Sequence, residues 1–152
     1  MILEIDSQKQ RIDEMLRIAQ KCRDTEIQSH WARYLCVLIS GFIENSVEIC
    51  LSEYSRRYAN DVVANFVSCK LRGFQNPKIG PIIELFGSFN PTWKSDLESA
   101  TDGKLGDSIN SIVGNRHSIA HGQSVSLSLG SLAAYYKDAL KVVDLLHKTC
   151  GV

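Results

Sequence analysis

The sequence has no excess of charge of either sign. Its 152 residues include 17 Lys and Arg and 17 Asp and Glu, so the formal net charge is zero. A protein that coats nucleic acid along its surface carries an excess of basic residues. The balance therefore excludes that class of protein, although it leaves room for a small site that binds one phosphate.

Signals for membranes and for secretion are also scarce. No apolar run reaches the roughly 18 residues that a membrane-spanning helix needs. The first six residues contain two acids, whereas a signal peptide begins with basic and then apolar residues. The five cysteines are an odd number and form no CxxC pair, which argues against a zinc knuckle or a thioredoxin-type motif. We therefore expect a cytoplasmic protein with reduced cysteines and no membrane partner.

Only three prolines occur, and the alternation of apolar and polar residues that is typical of strands is rare. Apolar spacing and capping residues instead predict an all-α, up-and-down bundle with four to five main helices and short helices inserted in the middle. We expect a single domain over residues 1–152, in which the N-terminal helix of residues 1–24 could be peripheral. The predicted helices cover about 4–23, 25–58, 61–72, 81–87, a piece restarting at Asn90-Pro91, 105–120 and 128–148. The expected caps of the third, the fifth and the last of these are Asn60, Asn90, and either Ser126 or Ser128.

The predicted helix over residues 25–58, capped by Thr25 or Ser29, is apolar almost all round. Such a helix is normally the central one of a bundle. Its narrow polar strip recurs every four residues, so that its members lie on one face. This strip consists of Ser40, Glu44, Glu48 and Ser52.

The segment over residues 110–122 carries the side chains that are best suited to chemistry. At about 100° per residue, Arg116 falls in the middle of an apolar helix side. A buried charge without a partner costs about 3–5 kcal/mol, so this guanidinium must be paired or must face a cleft. His117 and His121 are four residues apart on the adjoining side, and Gly122 is expected to end the helix directly after His121.

Each of these residues also has a structural interpretation. An arginine on an apolar stripe is often part of an ion pair, and a histidine near a helix C-terminus is often a surface residue stabilised by the helix dipole. Two histidines at this spacing could bind a metal ion, but the sequence has no HExxH motif and no evident third ligand. We therefore expect neither a metal nor another cofactor.

The stretch Arg116-His117-Ser118-Ile119-Ala120-His121 resembles the R-x4-6-H signature of the HEPN superfamily (higher eukaryote and prokaryote nucleotide-binding domains). A polar residue, most often Asn, follows the arginine in that family, and here it is His117. The Ala-His-Gly ending is also typical. Together with the long apolar helix that contains residues 41–44 and with the order of the helices, the motif resembles the HEPN type found with RiboL-PSP domains, over about residues 25–148.

This resemblance implies a metal-independent endoribonuclease whose active site lies between two subunits. His121 would then be the general base or acid, and Arg116 would bind the scissile phosphate of the RNA. His117 and Asn115 would orient the phosphate or His121. Attack by the ribose 2′-hydroxyl would leave a 2′,3′-cyclic phosphate, so DNA should not be cut.

Glu44 is the acid that the resemblance places near the motif, since many HEPN proteins carry one at about this position. It could pair with Arg116 and orient the guanidinium. Glu48 has equivalent spacing and remains an alternative, and Glu44 could equally be an ordinary glutamate of the bundle.

The homodimer that the resemblance implies would also solve a problem in the helical geometry. The spacing of five residues places Arg116 and His121 about 140° apart on one helix, so a single helix presents them poorly to a common atom. Two copies related by a two-fold axis could supply the arginine from one subunit and the histidine from the other.

Three functions remain open from the sequence. The first is an endoribonuclease, for which a toxin or phage-defence effector controlled by an antitoxin or another regulatory protein is one setting. The second is a non-catalytic HEPN-fold interaction or dimerisation module, and the third is nucleotide binding in the same cleft. The usual phosphate-loop motifs are absent. Basic residues outside the motif could still cluster near the cleft, and these are Arg23, Arg33, Arg56, Arg57, Lys70 and Arg72.

Overall fold

The computed structural model describes residues 3–152, and all of their regular structure is helical. The all-α prediction is therefore confirmed, with helix boundaries within a few residues of those expected. The seven helices of this region are α1 (Leu3–Lys21), α2 (Thr25–Tyr58), α3 (Asp61–Leu71), α4 (Ile79–Phe89), α5 (Pro91–Thr101), α6 (Lys104–Ala120) and α7 (Leu129–Cys150).

Helix α2 is the centre of the bundle. It packs against α1, α3, α6 and α7, and the side chains of Leu35, Ile39 and Ile43 have no exposed surface. Helix α1 joins the same core through Ile5 and Ile12. Burial on nearly all sides explains why α2 lacks the one-sided apolar pattern of a surface helix.

Helix α2 also contains an 18-residue window that is long and apolar enough to cross a membrane. By this measure, the prediction that no such segment exists was wrong. In the fold, 61% of that window is buried inside the bundle. The core helix of a packed bundle passes the same test, so its composition is accounted for by the contacts just described.

Local capping signals account for most helix starts. Asn60, Asn90 and Ser128 accept hydrogen bonds from the first backbone N–H groups of α3, α5 and α7, as predicted. The predicted cap of α2 was wrong. Asp24, and not Thr25 or Ser29, accepts from the N–H groups of residues 26 and 27, at 2.9 and 3.0 Å.

Helix α4 begins two residues before the predicted start because its cap comes from a distant part of the chain. The backbone N–H of Ile79 donates to the side-chain oxygen of Asn110 on α6, at 3.0 Å. Lys78, the residue that precedes the helix, makes no side-chain cap. The hydrogen bond therefore connects the inserted short helices to the helix that carries the motif.

A buried carboxylate connects α6 to α7. Asp138 is 2% exposed, and it accepts hydrogen bonds from the Ser108 hydroxyl at 2.9 Å and from Lys141 Nζ at 3.1 Å. Burial alone would raise the pKa of Asp138, but these two hydrogen bonds and the positive charges of Lys104 and Lys141 hold it below its ordinary value. The carboxylate is therefore charged in the folded protein, and it fixes α6 relative to α7.

Replacement of Asp138 by Asn should destabilise the protein by about 1.5–3 kcal/mol at pH 7, because hydrogen bonds to a buried charge are lost. The pKa of Asp138 is lowered on folding, so its contribution is present above the unfolded pKa and disappears as the pH falls through the folded one. The difference in the free energy of unfolding between the wild type and Asp138→Asn, measured by urea unfolding, should shrink between pH 5 and pH 3.

The matched control is Asp144→Asn, which removes an exposed ion pair with Lys148 on the same helix and should change the unfolding midpoint little. Equal stability of Asp138→Asn and the wild type at pH 7 would contradict this account.

Candidate functional site

The C-terminal end of α6 is closed by a Schellman motif. Gly122 has a φ of +68°, its N–H donates to the carbonyl of Ile119 at 3.0 Å, and the N–H of Gln123 donates to the carbonyl of Ser118 at 2.9 Å. A side chain at position 122 would strain this left-handed backbone. The predicted stop is therefore confirmed, and it places His121 at the C-cap, directly after the last helical residue.

Two imidazole rings lie together at this end. His117 and His121 are both exposed, and their ring centroids are 4.4 Å apart with an angle of 57° between the planes. The four-residue spacing brings them onto the same side of the helix. Both rings are accessible to a molecule that approaches the end of α6.

Arg116 lies on the other side of α6, where the helix meets α2. It is half-buried, and close to it the Cys36 thiol of α2 donates to the carbonyl of Ile112 at 3.3 Å. Burial raises the pKa of the Cys36 thiol to about 11, even though the nearby backbone N–H of Arg116 acts to lower it. A neutral thiol thus packs against the backbone of Arg116.

Glu44 is the acid that lies close to Arg116. Its carboxyl group is half-buried, and this burial raises its pKa above the ordinary value. The positive charge of Arg116 and the nearby backbone N–H of Asn76 act in the opposite direction, while the negative charge of Glu48 adds to the rise. Among residues 3–152 no ion pair within 4.0 Å joins Arg116 to an acid. Glu44 therefore acts on the guanidinium without a direct salt bridge.

Glu48 lies one turn further along α2 and faces a different neighbourhood. It lines a groove of about 200 Å³ between α2 and α3, together with Ser52 and Arg72. Two serines of the predicted polar strip, Ser40 and Ser52, are in fact buried. The part of the strip that remains accessible is thus the pair of glutamates.

Asn115 is engaged in its own helix. Its side-chain amide donates to the carbonyl of Ser111 at 2.8 Å. The predicted role of Asn115 toward the phosphate or His121 would then fall to its second N–H or to its amide oxygen. Asn110, the other asparagine of the segment, caps α4 as described above.

Asn76 was not recognised from the sequence as a residue of this site. It is the one non-glycine residue with a positive φ, 55°, in the described part of the chain, and it precedes Pro77. Asparagine adopts this left-handed conformation more readily than most other residues. No residue near Asn76 in the sequence indicates that it lies close to Glu44.

The described residues contain no group of three or more His, Cys, Asp or Glu side chains that could hold a metal ion. The chemistry that the site offers is therefore that of two accessible imidazoles, a half-buried guanidinium and a carboxylate beside it.

Replacement of Glu44 by Gln should raise the melting temperature at pH 7.5, because a carboxylate that is costly to bury becomes neutral. Since the pKa of Glu44 is raised on folding, the wild type should gain stability relative to the variant as the pH falls through that folded value toward the unfolded one. Thermal unfolding between pH 7.5 and pH 4.5 measures this difference. Glu98→Gln, at an exposed position on α5, is the control and should leave this pH dependence unchanged. A Glu44→Gln protein that melts below the wild type at pH 7.5 would contradict the account.

Comparison with known proteins agrees with this architecture. Neither the curated proteins nor the solved structures gave a match. A family model described as RiboL-PSP-HEPN matches residues 4–151, which includes α1 and the end of α7 as well as the region where the resemblance was noted. The match covers nearly the whole chain, and we conclude that this protein belongs to the RiboL-PSP-HEPN family.

Proposed function

We propose that the protein is a metal-independent endoribonuclease in which Arg116 and His121 act on one phosphodiester bond of RNA. The observation that carries the proposal is that, near the end of α6, the arginine is not paired in a salt bridge with any residue of the described region and the histidine is exposed. Arg116 has a nearby acid but no salt bridge among the described residues, and His121 is exposed beside a second imidazole. A guanidinium whose N–H donors are not already bound to a carboxylate can bind a phosphate.

Arg116 would bind two oxygens of the scissile phosphate and stabilise the charge that develops on them. Glu44 would position the guanidinium from α2, and the backbone N–H of Asn76 would in turn hold the Glu44 carboxylate. The partial burial of this group supports such a role, because charge interactions are stronger where water is excluded.

His121 would transfer protons. Imidazole is suited to this near neutral pH, either from the attacking 2′-hydroxyl or to the leaving 5′-oxygen. His117, whose ring is 4.4 Å from that of His121, would orient it or the phosphate. The 2′-hydroxyl forms a bond to phosphorus while the bond to the 5′-oxygen breaks, which yields a 2′,3′-cyclic phosphate and a free 5′-hydroxyl. Asn115 would contribute by holding the last turn of α6 through its bond to Ser111.

The active unit would be a homodimer. Within one copy, Arg116 faces α2 whereas His121 is at the exposed helix end, so each copy would offer its arginine to the histidine of the other. Next to Glu44, the exposed side of α2 supports a contact between copies. Tyr34 and Val37 are 46% and 41% exposed there, and the space above Gly41 is open. The zero net charge would not oppose self-association.

Control of this activity could come from a protein that covers the end of α6. Because His117 and His121 are exposed, a bound antitoxin or other regulatory protein would exclude RNA without a change in the fold. We propose this arrangement for a toxin or defence role.

The nuclease reaction can be tested with the purified protein in EDTA, incubated with total RNA and with single-stranded DNA. We expect cleavage of RNA only, and termini that carry a 2′,3′-cyclic phosphate. His121→Ala and Arg116→Ala should each reduce the rate by a factor of about 10² or more, because a proton-transfer group or a phosphate ligand is lost. Arg17→Ala, which removes an exposed arginine paired with Glu14 on α1, is the matched control and should retain the rate.

A wild-type protein that leaves RNA intact would contradict the proposal and favour a non-catalytic HEPN-fold module. RNA cleavage that persists in both variants would show that the activity belongs to other residues or to a contaminant. Binding of a nucleotide without RNA cleavage, lost in Arg116→Ala, would support nucleotide binding as the function of the cleft.

The composite site predicts complementation between two inactive variants. When Arg116→Ala and His121→Ala proteins are mixed, unfolded and refolded together, half of the dimers are mixed, and each mixed dimer holds one complete site. The mixture should therefore recover about a quarter of the wild-type rate. Val37→Asp should abolish this recovery by separating the copies, which sedimentation velocity would detect. A mixture as inactive as its components, in a sample shown to contain mixed dimers, would contradict the composite site.

A further inference from the structure

Helix α3 exposes an apolar face that nothing in the described chain covers. The helix packs on α2 through Ala64 and Leu71, each 4% exposed. On the opposite side, Val62 is 78% exposed and Phe66 is 62% exposed. Such exposure on neighbouring turns of one short helix is characteristic of a binding surface and not of isolated surface residues.

The same face carries positive charge. Lys70 follows Phe66 by one turn, and its Nζ lies 5.4 Å from the centre of the phenyl ring. Residues 53–78 contain five Lys and Arg and two Asp and Glu, a balance of 5 − 2 = +3, so the rest of the neutral chain carries −3. Two of the five, Arg56 and Arg57, lie on α2 and are bound to Glu53 and to the Gly151 carbonyl, so the positive charge of α3 itself comes from Lys70 and the C-cap residue Arg72. A polyanion would therefore be attracted to this region more strongly than to the rest of the surface.

A groove lies beside this region, between α2 and α3, and Arg72 and Ser68 line it from the α3 side. Its other lining residues are Glu4 of α1 and, on α2, Glu48, Ile49, Ser52, Glu53 and Arg56. Because three of these residues are acids, the phosphates of a strand would follow the α3 side of the groove, where Arg72 lies. The centre of the groove is about 12 Å from the level of Glu44 along α2, a distance that a short RNA segment can span.

We infer that the exposed face of α3 is a binding site for unpaired bases of RNA. Phe66 stacks on a base, while Lys70 and Arg72 bind neighbouring phosphates. The path of this RNA toward Arg116 rests on the proposed function. Single strands are the form that fits, because their bases are free to stack on an aromatic ring, whereas the bases of a duplex are stacked on each other. The combination of an aromatic ring with a lysine beside it and a local excess of positive charge favours RNA over a protein partner.

Binding can be measured separately from cleavage. The probe is a fluorescein-labelled, single-stranded 12-mer of 2′-O-methyl RNA, which lacks the free 2′-hydroxyl and cannot be cut, and anisotropy is recorded with the full chain at fixed salt. In Phe66→Leu the dissociation constant should rise at least about fivefold, as expected for the loss of one base–aromatic stack. Phe66→Tyr keeps an aromatic ring and should bind like the wild type. Ile18→Ala, at an exposed apolar position on α1, is the matched control and should also bind like the wild type.

Salt dependence provides a second readout. In Lys70→Gln the slope of log K against log salt should become shallower by about one phosphate contact. A duplex probe of the same sequence should bind more weakly than the single strand, and its affinity should not respond to Phe66→Leu.

Equal affinity of Phe66→Leu and the wild type for the single strand would overturn the inference, as would the absence of binding by the wild type. A change of sedimentation coefficient in Phe66→Leu would also overturn it, and would assign the face to a contact between copies. These outcomes are independent of the nuclease test. Binding through Phe66 without any cleavage of ordinary RNA would refute only the proposed function, and cleavage that is unaffected by Phe66→Leu at limiting RNA would refute only the site on α3.

Discussion

The packing of α6 against α2 determines where the groups of the candidate site lie. Cys36 contacts the α6 backbone at Ile112, and this contact is possible because α2 is buried on nearly all sides and cannot move away from its neighbours. Arg116 follows one turn after Ile112, so its side chain leaves the helix beside α2 and comes under the influence of Glu44. The loop after α3 reaches the same carboxylate through the N–H of Asn76. Helix α2, helix α6 and the loop after α3, which are distant in sequence, thus together form the surroundings of the Arg116 guanidinium.

The end of α6 is determined by different and more local interactions. Gly122 adopts the left-handed conformation that stops the helix, and the carbonyls of the last turn are satisfied by the two residues that follow. This fixes His121 as a terminal residue with an exposed side chain. Arg116 is positioned by tertiary packing and His121 by a helix stop, so the two groups are held by independent structural features. A substitution that loosens one of them need not disturb the other.

This distinction explains what could be predicted from the sequence. The Gly122 stop, the caps at Asn60, Asn90 and Ser128, and the central place of α2 were predicted because each depends on neighbouring residues or on periodicity. The cap of α4 by Asn110 and the approach of Asn76 to Glu44 join residues more than 30 positions apart, and nothing near them in the sequence indicates the partner. For Asn115 the sequence indicated a role toward the substrate from its place in the motif, but not the hydrogen bond that its amide donates to the Ser111 carbonyl within its own helix.

The net charge of the chain is zero, but its charges are unevenly distributed. Zero net charge excludes binding along the whole surface, but residues 53–78 carry a local balance of +3 against −3 elsewhere. Electrostatic attraction of RNA would then be confined to one side of the bundle, and the remaining acidic surface would repel it. On the proposed function, a strand attracted to that side would reach Arg116 from α3. A weak affinity of the whole surface for RNA suits an enzyme that must release its products. Tight binding that is equal for the substrate and the transition state does not raise kcat.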